Sequence, residues 1–316
     1  MSTILITGGS GFIGSHLIDR LIKDNHRIIS LDNLITGRTS NLDHQKDNLN
    51  LKTINHDITE PIDIEEKIDY IFHMASPASP IDYLQIPKET LLTGSIGTKN
   101  MLDLAQKHSA RLLLASTSEI YGDPLEHPQK ETYFGNVNTI GPRSCYDEAK
   151  RFAEAITMAY HRTHKTNVVI ARIFNTYGPR MRPNDGRVVP NFIIQSLKNE
   201  PVTINGDGTQ TRSFCYIDDL VDGLTKLMFS EIQGEAVNLG NPEETTINDF
   251  AEKIKTLTNS ASTTTYNDLP ENDPIRRLPD ITKAKQLLNW EPKTDIETGL
   301  SATIEHFKNV MNKTDK

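Results

Sequence analysis

Cysteine is scarce in this chain of 316 residues, which contains only Cys145 and Cys215. Two widely separated cysteines match neither the ligand spacing of a metal site nor a disulfide framework. Residues 1–30 also lack the pattern of a secretory leader, because a glycine-rich motif already begins at Gly8. The sequence therefore predicts a cytoplasmic protein without a metal centre.

Long apolar runs and a basic excess are missing as well. No stretch approaches the roughly 20 consecutive apolar residues of a membrane helix, so no membrane partner is expected. The formal net charge is -8, which argues against nucleic acid as a partner. Several arginines nevertheless fall in loops of the second half of the chain. Their placement fits either a small anionic ligand or solvated surface positions.

The first half of the chain alternates short β-branched runs with helical stretches. The runs are apolar with little polar alternation, which is typical of parallel strands covered on both faces. They are TILIT (3–7), RIISL (27–31), LKTIN (51–55), DYIFH (69–73), RLLLAS (111–116) and NVVIAR (167–172). Helices are predicted at about 12–24, 88–107 and 145–164. This order predicts an α/β fold with a doubly wound parallel sheet of the Rossmann type.

The sequence pattern changes after residue 178, where loops rich in glycine and proline separate shorter predicted helices. We expect residues 1–178 to form one domain and residues 179–316 a smaller C-terminal α/β domain that binds substrate. AVNLG (236–240) has the pattern of one more buried strand. The segment near 234–241 is therefore expected to return to the first sheet.

A glycine motif directly follows the first predicted strand and precedes a helix. Gly8, Gly11 and Gly14 let the backbone approach a pyrophosphate, which binds at the positive end of that helix. Asp32 ends the second strand, where it accepts hydrogen bonds from ribose hydroxyls and repels a 2′-phosphate. This context predicts NAD rather than NADP, and makes residues 1–178 the NAD-binding domain.

A second motif carries acid–base chemistry. Tyr146 and Lys150 are four residues apart at the start of a predicted helix and so share a face. Strand RLLLAS ends in Ser116-Thr117-Ser118-Glu119, at the sheet edge where ligands of such folds bind. A phenol is a poor base at neutral pH, but a neighbouring ammonium and a positive nicotinamide both lower its pKa. We expect Tyr146 to deprotonate a substrate hydroxyl that Thr117 holds.

Together these motifs resemble the extended short-chain dehydrogenase/reductase family, in its nucleotide-sugar branch. Longer segments, which cover nearly the whole chain, are similar to UDP-glucuronate decarboxylases. They are HMASPASP (73–80), STSEIYGDPLEHPQ (116–129), ETYFGNVN (131–138), RSCYDEAKR (143–151), ARIFNTYGPRM (171–181), DGRVVPNF (185–192), NGDGTQTRSF (205–214) and PDITKAKQLLNWEP (279–292). The resemblance implies NAD-dependent decarboxylation of UDP-glucuronate to UDP-xylose through a 4-keto intermediate, with internal recycling of NADH, in a homodimer.

The same resemblance implies the roles of individual residues. The catalytic set is Thr117, Ser118, Glu119, Tyr146, Lys150 and Arg277. The cofactor-binding set is Gly8, Gly11, Phe12, Ile13, Gly14, Asp32, Asn33, Asp57, Ile58, Ala75, Tyr146 and Lys150. The substrate-binding set is Asn175, Val188, Val189, Asn191, Arg212 and Arg277. Glu119 and Arg277 are assigned to the carboxylate, Asn175 and Arg212 to the diphosphate, and the start of the helix at Val188 to the uracil.

Ser118 separates the decarboxylase interpretation from related activities. Dehydratases that resemble this chain have an aspartic acid at that position, which protonates a leaving hydroxyl. Serine cannot do this, and its neutrality tolerates a substrate carboxylate nearby. Two alternatives stay open: a related enzyme that releases UDP-4-keto-pentose or makes UDP-apiose, and a non-enzymatic sensor of NAD or nucleotide sugars. The intact set of Thr117, Tyr146 and Lys150 argues against the sensor.

Three positions depart from the family pattern. Gly94 stands where asparagine is usual, Asp82 where histidine is common, and Leu278 where lysine follows the arginine. The departures bear on rate and fine substrate preference, whereas the class of reaction rests on the motifs above.

Overall fold

A parallel sheet of seven strands forms the centre of the protein, in the order β11-β6-β5-β4-β1-β2-β3. The computed structural model describes residues 1–269 and 276–314. Its strands are β1 (Thr3–Thr7), β2 (Arg27–Asp32), β3 (Leu51–Asn55), β4 (Tyr70–His73), β5 (Arg111–Thr117), β6 (Val168–Ile173), β7 (Thr176–Tyr177), β8 (Val202–Asn205), β9 (Thr211–Ser213), β10 (Cys215–Tyr216), β11 (Glu235–Leu239), β12 (Glu244–Thr246), β13 (Thr264–Asn267) and β14 (Arg276–Arg277). The order reverses between β1 and β4, as in a doubly wound sheet. The predicted fold class is confirmed.

Helices cover both faces of this sheet. They are α1 (Phe12–Lys23), α2 (Pro80–Gln85), α3 (Pro87–Leu92), α4 (Thr98–His108), α5 (Ser144–His164), α6 (Val188–Leu197), α7 (Ile217–Met228), α8 (Ile247–Thr258), α9 (Thr282–Leu288) and α10 (Ile296–Thr314). Short 3₁₀ helices span Thr39–Gln45 and Ser118–Tyr121, and a π-helical turn spans Thr93–Gly97. No helix within residues 1–269 and 276–314 is long and apolar enough to cross a membrane.

Apolar burial explains why the strands lack polar alternation. All seven residues of β5 are buried, because α1, α7 and α9 pack on one face of the sheet and α4 and α5 pack on the other. Each face therefore has its own core, and both sets of strand side chains leave water.

Residues after 178 contribute to two different cores. The strand β11 pairs in parallel with β6 at the edge of the large sheet, and α7 and α9 pack on that sheet. Helices α6, α8 and α10 instead enclose a third core with β8, around Phe192, Phe250 and Phe307. Helix α8 begins at a capping threonine, since the backbone N–H of Asp249 donates to Thr246 Oγ1 at 3.0 Å. The division of the chain at residue 178 stays a prediction.

The helix predicted at 88–107 is divided into α3, a π-helical turn and α4. Gly94 lies in that turn, and a Cβ atom there would be 2.7 Å from Cβ of Ala149 and 2.8 Å from its carbonyl oxygen. The backbone of the turn thus approaches α5 more closely than a side chain at position 94 would permit. An asparagine at position 94, which is usual in the family, would not fit against α5 in this arrangement.

Candidate active site

One cavity of about 710 Å³ opens at the carboxyl ends of the parallel strands. Every residue that the sequence predicted for catalysis, cofactor binding or substrate binding lines it. The strands β1, β2 and β5 deliver the glycine loop, Asp32 and Thr117 to the same edge, because parallel strands share their direction. The cavity is therefore the candidate active site, and the individual roles stay predictions.

The glycine loop has no room for side chains. Gly8 has a φ of +70°, and a Cβ atom on it would be 2.9 Å from the backbone of Ala75. A Cβ atom on Gly14 would be 2.2 Å from the carbonyl oxygen of Gly8, where α1 packs against the loop. The loop leaves exposed backbone beside the first turn of α1, which is the shape and polarity that a dinucleotide pyrophosphate requires.

Polar groups follow β2 at the adenosine end of the cavity. Asp32 accepts hydrogen bonds from the backbone N–H groups of Ser10, at 2.9 Å, and Leu34, at 2.8 Å. Burial raises the pKa of Asp32, while these two bonds oppose the increase. Asn33 Nδ2 donates to Asp57 Oδ2 at 2.9 Å and so joins two residues of the predicted cofactor-binding set. The residues present fit an NAD site.

Tyr146 lies deep in the cavity and is 6% exposed. Its ring stacks on Tyr83 with centroids 5.1 Å apart and planes 9° apart. Burial and then the charge of Glu119 raise the pKa of Tyr146, whereas a hydrogen bond with Thr117 and the charge of Arg187 lower it. The net direction is upward, so the chain's own groups keep the phenol protonated at neutral pH.

Lys150 acts on Tyr146 less directly than the sequence suggested. Its Nζ atom lies 5.8 Å from the centroid of the Tyr146 ring and donates to the carbonyl oxygen of Ala115 at 2.8 Å. Burial lowers the pKa of Lys150 to about 8. Without the nicotinamide charge, the groups around the phenol leave its pKa raised, so the lowering expected in the NAD-bound site stays a prediction.

A cluster of charges faces Tyr146 across the cavity. Arg277 donates from Nη1 and Nη2 to the two carboxylate oxygens of Glu119, at 2.7 and 2.8 Å. Arg143 donates to the same carboxylate at 2.5 Å. Although burial opposes it, the charges of both arginines hold the pKa of Glu119 well below its usual range. The cluster is buried, and its two guanidiniums outnumber its one carboxylate. Arg277 Nε finds no hydrogen-bond partner among residues 1–269 and 276–314.

The second half of the chain supplies the opposite wall. Arg212 in β9 and Arg277 in β14 are register partners in a parallel pair, so their side chains leave the same face. Helix α6 begins at Val188, and Asn191 in its first turn donates to the carbonyl oxygen of Gly186 at 3.1 Å. Asn175 lies between β6 and β7 and lines the same wall.

Three further residues line the cavity that the sequence did not single out. Arg143 precedes Tyr146 by three residues, and helical spacing within that motif was a signal that could have found it. Arg187 forms a two-point ion pair with the buried Asp185. Tyr83 reaches Tyr146 only through the packing of α2 on α5, for which the sequence has no local signal.

Asp82 and Leu278, the other two residues that depart from the family pattern, each have bonding partners in the structure. Asp82 pairs with Arg182 at the cavity wall. The backbone N–H of Gln129 donates to the carbonyl oxygen of Leu278 at 2.8 Å, and the N–H of Leu278 donates to the side-chain oxygen of Gln129 at 2.8 Å. Both substitutions are compatible with the cavity as it stands.

Comparisons with known proteins agree with this geometry. The model of the NAD dependent epimerase/dehydratase family matches residues 4–240. UDP-glucuronic acid decarboxylase 1 of Danio rerio is 55% identical over 304 residues, 96% of this chain and 72% of that protein. UDP-glucuronic acid decarboxylase 5 of Arabidopsis thaliana is 52% identical over 306 residues, 96% of this chain and 89% of that protein.

Solved structures show the same architecture. The structure of UDP-glucuronic acid 4-epimerase from Bacillus cereus, in complex with UDP-glucuronic acid and NAD, has a TM-score of 0.89 to this chain. The two are 28% identical, and the match covers 98% of this chain and 99% of that one. With a family model over most of its length and decarboxylases more than half identical to it, the chain belongs to the NAD dependent epimerase/dehydratase family.

Proposed function

We propose that this protein converts UDP-glucuronate to UDP-xylose and CO2. The observation that carries the proposal is the buried cluster of Arg277, Arg143 and Glu119 beside Tyr146, in the cavity that holds the glycine loop. Relatives more than 50% identical along this chain bear the name of this activity. When bound, NAD accepts a hydride from C4 of the sugar and returns it at the end of the cycle.

The chain's own residues supply the proton chemistry. Thr117 positions the C4 hydroxyl, and Tyr146 takes its proton as C4 becomes a ketone. The sugar carboxylate is then β to a carbonyl, so the bond between C5 and the carboxylate breaks and its electron pair enters an enolate. CO2 leaves in that step, C5 of the enolate takes up a proton from solvent, and Tyr146 returns its proton to the C4 oxygen as the ketone is reduced.

Ser118 excludes one competing use of the same ketone. It is buried beside Thr117 and carries no acidic proton that could help a hydroxyl leave from the neighbouring carbon. Arg277 and Arg143 provide positive charge for a carboxylate in the same region. The pairing of a neutral serine with two arginines favours decarboxylation over dehydration.

The test of this function is the redox balance. Incubation with UDP-glucuronate should release one CO2 per UDP-xylose with almost no net NADH, because the same carrier is reduced and reoxidised within one cycle. UDP-glucose is the matched control substrate, and it should release no CO2 since it has no carboxylate. NADH that accumulates in step with CO2 would show that a UDP-4-keto-pentose is the product instead.

We also propose that residues 1–178, with the segment near 234–241, form the NAD-binding domain and that residues 179–316 otherwise form the substrate domain. The cavity between the glycine loop and α6 supports this division. A cytoplasmic location is proposed on the two free cysteines, Cys145 and Cys215, which are both buried. Fractionation of the native cells, with immunodetection of the protein, tests the location.

A homodimer is proposed on an apolar surface formed by α2, α3, the π-helical turn and α5. Its large side chains are between 42% and 51% exposed. They are Ile81, Leu84, Leu91, Leu92, Ile96 and Phe152. Large exposed apolar side chains on helices that pack against each other are typical of an interface rather than of a free surface.

Sedimentation tests the dimer. Leu91→Glu combined with Ile96→Glu should convert a dimeric wild-type protein to monomers, because each charge would be buried unpaired in the interface. Leu287→Glu, at an exposed position on α9, is the matched control and should leave the mass unchanged. A wild-type protein that sediments as a monomer at micromolar concentration contradicts the proposal.

A further inference from the structure

Arg38 is a half-buried arginine that lines the cavity. It follows β2 in the loop that begins at Asp32, and its side chain lines the same cavity as the glycine motif. Its Nε atom is buried and has no hydrogen-bond partner, and no ion pair is found for it within residues 1–269 and 276–314. Burial, and then the charge of Arg182, lower the pKa of Arg38, whereas the charge of Asp185 raises it. Asp185 is itself held in an ion pair by Arg187.

The neighbouring arginines of the cavity, in contrast to Arg38, are held in ion pairs. Each of them pairs with its own aspartate: Arg180 with Asp19, Arg182 with Asp82, and Arg187 with Asp185. A guanidinium withdrawn from water is unfavourable unless a negative charge compensates it. Arg38, for which the described residues show no ion pair of its own, is therefore the arginine here that is available to an anion entering the cavity.

The backbone around Arg38 shows which part of the cavity this is. The N–H of Arg38 donates to the carbonyl oxygen of Ser10 at 3.0 Å, and Asn41 Nδ2 donates to the same oxygen at 2.9 Å. Ser10 lies inside the glycine loop, between Gly8 and Gly11. Arg38 Nη2 donates to the carbonyl oxygen of Arg180 at 3.0 Å, so the side chain extends from the glycine loop toward the loop after β7.

We infer that Arg38 is the counter-charge for the diphosphate of the bound dinucleotide. The inference rests on NAD as the cofactor of the proposed function. The glycine loop supplies backbone dipoles to the diphosphate, and Arg38, whose backbone N–H is bonded to that loop, adds a full positive charge. Its consequence is retention: a cofactor that is reduced and reoxidised within one cycle has to stay bound between the two steps.

Binding of nucleotide fragments tests this role without turnover. NAD, ADP and adenosine are titrated calorimetrically into the wild-type protein and into Arg38→Gln, and NADP and UDP are titrated in parallel. The variant should bind NAD and ADP roughly 10- to 100-fold more weakly, the scale of a lost hydrogen bond to a charged group, and adenosine with unchanged affinity. Arg38→Lys keeps the positive charge but not the two-pronged guanidinium, so its affinities for NAD and ADP should lie between those of the wild-type protein and Arg38→Gln.

The control is Arg27→Gln, which removes a half-exposed arginine from the start of β2, away from the cavity. It should leave all of these affinities unchanged. Thermal melts without nucleotide distinguish a structural role of Arg38 from a role in binding. A structural role would lower the melting temperature of the variant and would weaken binding of adenosine as much as binding of ADP. If Arg38→Gln does not fold, the same titrations on Arg38→Lys decide the question.

Three results would overturn the inference. NAD affinity that is unchanged in both variants would show that the diphosphate lies elsewhere. A loss confined to NADP would place Arg38 at the ribose 2′ position. A loss of UDP affinity with unchanged NAD affinity would assign it to the substrate's diphosphate. A wild-type protein that binds NAD but does not decarboxylate UDP-glucuronate would contradict the proposed function and leave this inference standing.

Discussion

Replacement of Tyr146 by phenylalanine is expected to lower the rate of substrate oxidation by at least roughly 10²-fold, with NAD binding intact. The substitution removes only the phenolic oxygen, and the ring can still stack on Tyr83. The oxidation step then has no group at the C4 hydroxyl that can accept its proton. Single-turnover formation of NADH, followed by its absorbance after UDP-glucuronate is added, measures this step directly.

The matched control is Tyr160→Phe, which makes the same change on the same helix. Tyr160 donates its hydroxyl proton to Asp103 at the surface, at 2.6 Å, and does not line the cavity. We expect near-normal turnover from it. Near-normal turnover of Tyr146→Phe as well would remove Tyr146 from the catalytic set, and a parallel loss of NAD affinity would show that its role is binding.

Local sequence patterns were sufficient for most of the sheet. The apolar runs that became β1 and β5 have no polar alternation because both faces of the sheet are covered, and this physical cause is visible in the residues themselves. The glycine motif and Asp32 were predictable for the same reason: strand, turn and helix follow one another within a few residues. The capping threonine of α8 is another local signal.

Structural features that depend on packing between residues far apart in the sequence could not be predicted. The division of the 88–107 stretch reflects the close approach of Gly94 to Ala149 on another helix. The stacking of Tyr83 on Tyr146 and the ion pair between Glu119 and Arg277 each join residues far apart in sequence. Burial, which a sequence does not show, raises the pKa of Tyr146 and opposes the lowering expected from the ammonium and the nicotinamide.

The pairing of Glu119 with Arg277 changes how the carboxylate role of Arg277 has to be tested. Arg277 is 5% exposed, and both of its terminal nitrogens are engaged by Glu119. Its removal leaves Glu119 buried with Arg143 as its remaining charged partner among the contacts described above. Part of any loss will therefore be structural. Thermal melts of Arg277→Ala, compared with those of Arg276→Ala at the exposed neighbouring position, measure that part.

Arg277→Ala is expected to depress turnover of UDP-glucuronate by several kcal/mol in activation free energy, with a much smaller loss of affinity for UDP-xylose. The reason is geometric: carbon dioxide leaves fastest when the breaking bond lies perpendicular to the plane of the 4-keto group, and a guanidinium that holds the carboxylate fixes that orientation. UDP-xylose has the diphosphate but no carboxylate. Its binding therefore measures whether Arg277 contacts the diphosphate, which is the alternative role for this residue. Arg212 is its register partner and is the residue predicted for the diphosphate. If Arg277→Ala loses UDP-xylose as severely as it loses turnover, Arg277 is a second phosphate ligand beside Arg212, and the carboxylate is held by Arg143 instead.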